Sequence, residues 1–474
     1  MFKIPGVLLC CAMFSLQVCA QARKDTTQFD LRIDGSQKFQ PIDGIGVNVN
    51  TRSWNGTELQ EAIELLHDSM NAVVWRVLAE TVEKWEEEND DDDPFHFNWA
   101  YYDKLYETPK FQKVWDMVAY LNKRGITDKL MINFMGVVPK WMGEEVVKPE
   151  FEDEYIEMIV SFFYYGIKKK NLRISLISHM NEPDIRKEGP TVKPLQYASI
   201  FSKFIKRMQQ VGLGDVRYVG PDVAGMNDGI NNYMPEMMKD TTIMNNLAYI
   251  GLHSYAGSYA PVDSTINKSP YPEMNYWITE WNEWCNGCDD GKIGTYDYNY
   301  ARKSVRHLID LIENGASSCM VWEGYDSYYE HHAPSPFSYW GVLKFNKDSR
   351  TYTPRKHFYT ISQVSRYLLP GSVRIGTTPS IDDFFVIAVQ DSLKRVNILG
   401  VNLNNTPVHL NASLKNLQKI KGFRMSHTNE SVNFETDADV KTRGGKLKAT
   451  IPANSVFALT SYYCELITSE NKHE

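Results

Sequence analysis

Cysteine is scarce, positive charge is not in excess, and long apolar runs are confined to one end of the chain. Each shortage excludes something. Of seven cysteines, Cys10, Cys11 and Cys19 lie near the amino terminus, which leaves Cys285, Cys288, Cys319 and Cys464. Four in so long a chain make no disulfide framework. Lys and Arg number 51 against 59 Asp and Glu, a formal net charge of −8. Such mild acidity gives no general attraction to nucleic acid or anionic membranes, so no nucleic-acid partner is expected. No glycine fingerprint or phosphate loop follows a strand-like run, which counts against nucleotide binding. Beyond the amino terminus nothing approaches the roughly 20 apolar residues of a membrane span.

The amino-terminal run itself reads as a signal peptide over residues 1–22. Lys3 is its only charge, Val7 to Phe14 is apolar, and Ala20-Gln21-Ala22 offers the small residues of a cleavage site. A secreted or periplasmic protein is expected. Leu16-Gln17-Val18-Cys19 would instead give a lipid-anchored cell-surface protein, although Val18 is bulky where a small residue is usual. Cys285-Asn286-Gly287-Cys288 has redox or zinc spacing, but no second Cys/His pair accompanies it. A local disulfide is the expectation there, with no metal. Glu330, His331 and His332 likewise lack a second ligand pair and read as surface loop.

From residue 42 to 323 one pattern repeats. A short apolar run ends in small or polar residues and a helical stretch follows. The runs are Ile42–Asn48, Ala72–Leu78, Lys129–Met135, Arg173–His179, Val216–Pro221, Leu247–Tyr255, Met274–Glu280 and Ser318–Glu323. Runs apolar on both faces suit parallel strands covered by helices. Between them, Leu195, Ala198, Phe201, Ile205 and Met208 step by three and four, as do Ala301, Val305, Leu308 and Ile312. Eight alternations predict an α/β chain with a (β/α)8 TIM barrel over 42–366. After Leu369-Pro370-Gly371 the period falls to two, in Phe384–Gln390, Arg395–Asn402, Val408–Leu410, Lys446–Ile451 and Val456–Tyr462. A β-sandwich over 367–474 is predicted, joined by a β segment within 23–41. The acidic run Glu86 to Asp93 reads as a solvated loop, with a calcium site or substrate-facing rim as the rarer alternatives.

Barrel sites gather at the carboxyl ends of strands. There the fourth run delivers His179-Met180-Asn181-Glu182-Pro183, and the seventh Thr279-Glu280-Trp281-Asn282-Glu283. Two carboxylates on one face are what glycoside hydrolysis needs, one to protonate the leaving oxygen and one to attack the anomeric carbon or activate water. Glu280 closes the apolar run directly, whereas Glu283 stands three residues into the loop, so Glu280 is preferred. Trp281 and Trp322 flank strand ends and are candidates for stacking on sugar. Trp141 and Trp284 carry no signal either way, and Glu323 is left unassigned. Asn-Glu-Pro alone could simply start a helix, Arg76 could be a structural ion pair, and His253 and Tyr255 could be packed polar residues.

With Asn181-Glu182 on the fourth strand and Glu280 on the seventh, the chain resembles clan A of the glycoside hydrolases. In detail it is most similar to family 30, through Ile42-Asp43-Gly44-Ile45-Gly46, Pro139-Lys140-Trp141-Met142, Lys356-His357-Phe358-Tyr359, the crossing Leu369–Ile375 and Ile451–Val456. The resemblance implies Glu182 as acid/base, Glu280 as nucleophile, and retention of configuration. It implies Arg76 and Tyr255 as hydrogen-bond partners of the nucleophile, Asn181 on the sugar 2-hydroxyl, His253 in substrate binding, and Trp322 as floor of the −1 subsite. The chain departs from the family's usual Gln at Met180, and neither the acidic loop nor Cys285 and Cys288 has a counterpart there.

The function expected is therefore a retaining β-glycosidase or β-glycanase with a carbohydrate substrate and no cofactor. An inactive carbohydrate-binding barrel is the alternative, and survival of both acids counts against it. A transglycosylase would use the same site. Glu280 beside Arg76 should stay ionised, and Glu182 should hold its proton. The −1 sugar, the linkage and exo or endo action carry no sequence signal.

Overall fold

The computed structural model describes residues 27–79, 85–286, 288, 292–328 and 337–461. The expectations for residues 1–22, Cys464, Glu330, His331 and His332 lie outside the described residues.

Strand β1 (Thr27–Pro41) precedes eight parallel strands: β2 (Gly44–Asn50), β3 (Ala72–Ala79), β4 (Leu130–Phe134), β5 (Leu176–Ser178), β6 (Arg217–Gly225), β7 (Leu247–Ala256), β8 (Tyr276–Trp281) and β9 (Ser318–Val321). β2 to β9 pair in chain order and β9 returns to β2, closing a barrel. Helices cover its outside with the stripes read from the sequence. Pro194–Gln210 buries Ala198, Phe201, Ile205 and Met208, and Tyr298–Glu313 buries Ala301, Val305, Leu308 and Ile312. Leu195 does not belong to its stripe, because it stands exposed in the first turn of its helix.

Along the barrel axis the inward residues change character. Val74, Met131, Leu176, Val219, Trp277 and Met320 form one apolar plug. Strand side chains alternate with period two. Two residues further along, the same strands therefore send Arg76, Asn133, Ser178 and Thr279 inward, all buried. A polar layer thus begins directly above the plug, at the end of the barrel where sites form.

Beyond the barrel lies one continuous ten-stranded sheet. Val373–Thr377, Phe384–Gln390, Val396–Asn402 and Ser455–Thr460 follow one another across it, and Gly422–Thr428 extends that edge. β1 lies inside this sheet, antiparallel to Val373–Thr377 and parallel to Val408–Lys415. One set of alternate residues, including Phe29, Leu31, Ile398 and Phe457, forms a separate core. The other set, including Ile387, Leu399 and Ala458, packs into the main core with the barrel's helices. Strands buried on both sides explain why Val396–Asn402 carries no polar alternation. The fold is thus a TIM barrel with an appended β domain.

Two loops differ from a simple surface reading. Glu86, first of the acidic run, is buried and accepts from the Tyr102 hydroxyl, while Trp141 Nε1 donates to its carbonyl at 2.7 Å. Burial pushes its carboxyl well above the ordinary range. The run is solvated only further on, where Glu87, Glu88, Asp92 and Asp93 are exposed. Cys285 and Cys288 form a disulfide.

Candidate active site

Arg76, from the middle of β3, is fully buried and organises the polar layer. Its Nη1 donates to Glu280 Oε1 at 2.5 Å and to Asn48 Oδ1 at 2.9 Å. Its Nη2 donates to Asn181 Oδ1 at 2.5 Å and to Asp222 Oδ2 at 2.8 Å. A fork with several donors can serve all four acceptors at once. Asp222 is the residue that the sequence reading missed. That reading ended the fifth run at Pro221, yet β6 continues to Gly225 and turns Asp222 inward at φ 61°. Asn133 Nδ2, Ser178 Oγ and Thr279 Oγ1 all donate to it. Burial alone would raise its carboxyl, but Arg76, His253 and Thr279 hold it well below the usual range.

Glu280 accepts a second bond from the Tyr255 hydroxyl at 2.8 Å. Register slips at Leu252/His253 and at Ile278/Trp281 let Thr279 and Glu280 reach the same inner network. Trp281 pays for that geometry with its orientation. It is fully buried, packs edge-on against His307 at 5.8 Å, and belongs to the core. The expected sugar-stacking role of Trp281 is therefore corrected: its ring points toward the helices, not the cleft.

Glu182 sits just past β5 at φ 40°, its backbone N–H bonded to the Asp222 carbonyl at 3.0 Å. Such left-handed conformations are uncommon outside glycine and cluster at functional sites. Asp184 ties the same loop to β6 by accepting from the N–H groups of Ala224 and Gly225 at 2.9 and 2.8 Å. His253, on β7, stands between three acids. Its Nδ1 is 2.7 Å from Glu182 Oε1 and 3.5 Å from Glu280 Oε2, and its Nε2 is 3.5 Å from Asp222 Oδ1. Burial disfavours an imidazolium, but Glu280, Asp222 and Glu182 together carry His253 up to about 10. Burial lifts Glu182 to about 7, aided by Glu280 and opposed by His253. Arg76 and His253 thus favour the charged form of Asp222, while burial favours a proton on Glu182.

One oxygen each of Glu182 and Glu280 and a ring nitrogen of His253 lie within 4.8 Å of one another. Spacing alone would let those three groups hold a metal ion. Both oxygens of Glu280 already accept from Arg76 and Tyr255, however, and the guanidinium opposes a further cation. Around the pair opens a cleft lined by Asn181, Glu188, Tyr255, Trp284, Trp322 and Trp340 beside the two acids. Of the tryptophans weighed from the sequence, Trp322 and Trp284 line this cleft. Trp141 packs on Phe151 instead. Glu283 does not line it, and Trp340 lines it without having been singled out.

The family model for the glycosyl hydrolase catalytic core matches residues 80–308. Glucuronoxylanase XynC of Bacillus subtilis is 21% identical over 467 residues, covering 95% of this chain and 96% of that protein. The structure of the family 30 subfamily 8 xylanase Xyn30A from Clostridium acetobutylicum superposes with a TM-score of 0.68 at 16% identity, over 91% of this chain and 99% of that one. The endo-beta1,6-glucanase BT3312 gives 0.65 at 16% identity, over 91% and 93%. Fold and catalytic core define an O-glycosyl hydrolase. Its fold is that of the glycoside hydrolase family 30 structures.

Proposed function

We propose that the enzyme is a retaining β-glycosidase acting on a β-linked oligo- or polysaccharide, with Glu182 as acid/base and Glu280 as nucleophile. One oxygen of Glu182 lies within 4.8 Å of one oxygen of Glu280, and this close approach carries the reading. Retaining pairs stand about 5–5.5 Å apart, whereas inverting pairs leave about 6.5–9.5 Å for a water. His253 holds Glu182 Oε1, so the proton on the other oxygen is delivered to the leaving glycosidic oxygen. Arg76 and Tyr255 aim an ionised Glu280 at C1. A glycosyl ester forms, and Glu182, now a base, takes a proton from the water that cleaves it. Asn181, its Oδ1 held by Arg76, presents its Nδ2 to the sugar 2-hydroxyl. No Lys or Arg lines the cleft among the described residues, while Glu188 adds a third acid. That lining favours a neutral sugar over a uronic acid at the reacting centre. Residues 1–22 support action outside the cytoplasm. A 2-fluoro β-glycoside should label Glu280 covalently, and proton NMR of the first product should show the β-anomer. Release of the α-anomer would refute retention.

A further inference from the structure

Trp284 stands in the cleft wall with 71% of its surface exposed, although the polar layer a few residues earlier is buried. A large aromatic left open in a cleft has apolar area to cover and a flat face to offer. Trp340 packs against it at 6.0 Å, inclined by 64°. The next residue is Cys285, and the Cys285–Cys288 disulfide sits in one apolar cluster with Leu78, Met135, Trp322 and Trp340. The Tyr296 hydroxyl touches both sulfurs, at 3.3 and 2.8 Å. Gly294 lies so close that a Cβ there would meet Cys285 Sγ at 2.1 Å. Cys285 and Cys288, directly after Trp284, are therefore anchored to the ends of β3, β4 and β9.

Barrel order fixes which side of the cleft this is. β5, which precedes Glu182, and β8, which precedes Trp284, lie three strands apart in a ring of eight, so the loop after β8 stands across the cleft from the loop that carries Glu182. The leaving group departs beside its proton donor. The wall across from Glu182 is left for the part of the substrate that stays on the enzyme.

We infer that Trp284 is a stacking platform for the sugar unit next to the reacting one on its non-reducing side, and that the Cys285–Cys288 disulfide holds it in place. This rests on the retaining β-glycosidase reading above. The occupant is a neutral pyranose, whose C–H face matches the indole. A platform fixed beforehand loses little conformational freedom when that sugar binds.

The test compares 4-nitrophenyl β-glycosides of one sugar with those of two: xyloside with xylobioside, and glucoside with cellobioside and gentiobioside. The leaving group is constant, so a difference reports the extra sugar. The wild type should prefer a diglycoside in kcat/KM. Trp284→Ala should lower kcat/KM for that diglycoside roughly tenfold, mostly through KM, and for the monoglycoside by no more than about threefold. Trp284→Phe should recover most of the preference, and Cys285→Ser/Cys288→Ser should lose it as Trp284→Ala does. Equal losses on both substrates, or an unchanged preference in Trp284→Ala, would overturn the platform. A preference kept by the double cysteine variant would overturn the disulfide's part. If the wild type cleaved no aryl glycoside and Glu280 resisted the 2-fluoro label, the glycosidase reading itself would fall.

Discussion

His253 Nδ1 lies 2.7 Å from Glu182 Oε1, buried among three carboxylates, and so sets the proton affinity of the acid it touches. Burial raises Glu182 to about 7, and His253 is the largest influence pulling it back down. A general acid is active while protonated, so kcat/KM should fall as pH rises through about 7. His253→Gln removes the opposing positive charge, and the alkaline limb should move to higher pH. Profiles of kcat/KM against pH decide this, and a limb that stays or moves down would contradict it.

The two acids should fail differently. Glu280→Gln removes the attacking group and should lower kcat by more than about 10³-fold on every substrate. Glu182→Gln should cost about 10²–10⁴-fold on poor leaving groups. It should cost much less for glycosylation by an activated aryl glycoside, which needs little protonation. Burst kinetics across a leaving-group series separates the two.

Asp222 supports Arg76 without lining the cleft. Breaking one side of a buried ion pair costs about 3–5 kcal/mol. Asp222→Asn keeps the volume and removes the charge, so the midpoint of denaturant unfolding should fall accordingly. A midpoint matching the wild type would show that Glu280 alone suffices to compensate Arg76.

Trp281 and Trp322 should separate as core and cleft. Trp281 is fully buried, so Trp281→Ala should cost about 3–5 kcal/mol of stability. Where that protein folds, its KM should be close to wild type. Trp322→Ala should instead raise KM for glycosides. Thermal melts and initial rates on the same samples would show whether the effects cross over.

The barrel was legible because parallel strands buried on both faces leave largely apolar runs, such as Ala72–Ala79, broken only by Arg76, and Tyr276, Trp277 and Ile278 ahead of Thr279 and Glu280. Their last residues therefore pointed at Glu182 and Glu280. Asp222 escaped because Pro221 looks like a terminator, although β6 runs past it to Gly225, with a register shift at Pro221/Val223. Trp281 was misjudged for a related reason. Local register slips break the period of two, and a single sequence carries no sign of register. Glu86 reads as one acid among many, and only the Tyr102 hydroxyl and the burial around it set it apart. Trp340 lies in no strand and enters the cleft through tertiary packing alone.

β1 sits between strands from the far end of the chain, with Phe29 opposite Leu410 and Ile33 opposite Thr377. β1 is made long before its partner strands and must wait for them. The side module cannot be sealed while the carboxyl end is still being made, and pairings this distant are slow to close. The catalytic unit is likewise no detachable cassette. Cutting after residue 366 would leave β1 without either neighbour and expose an unpaired edge, an invitation to aggregate rather than a minimal enzyme.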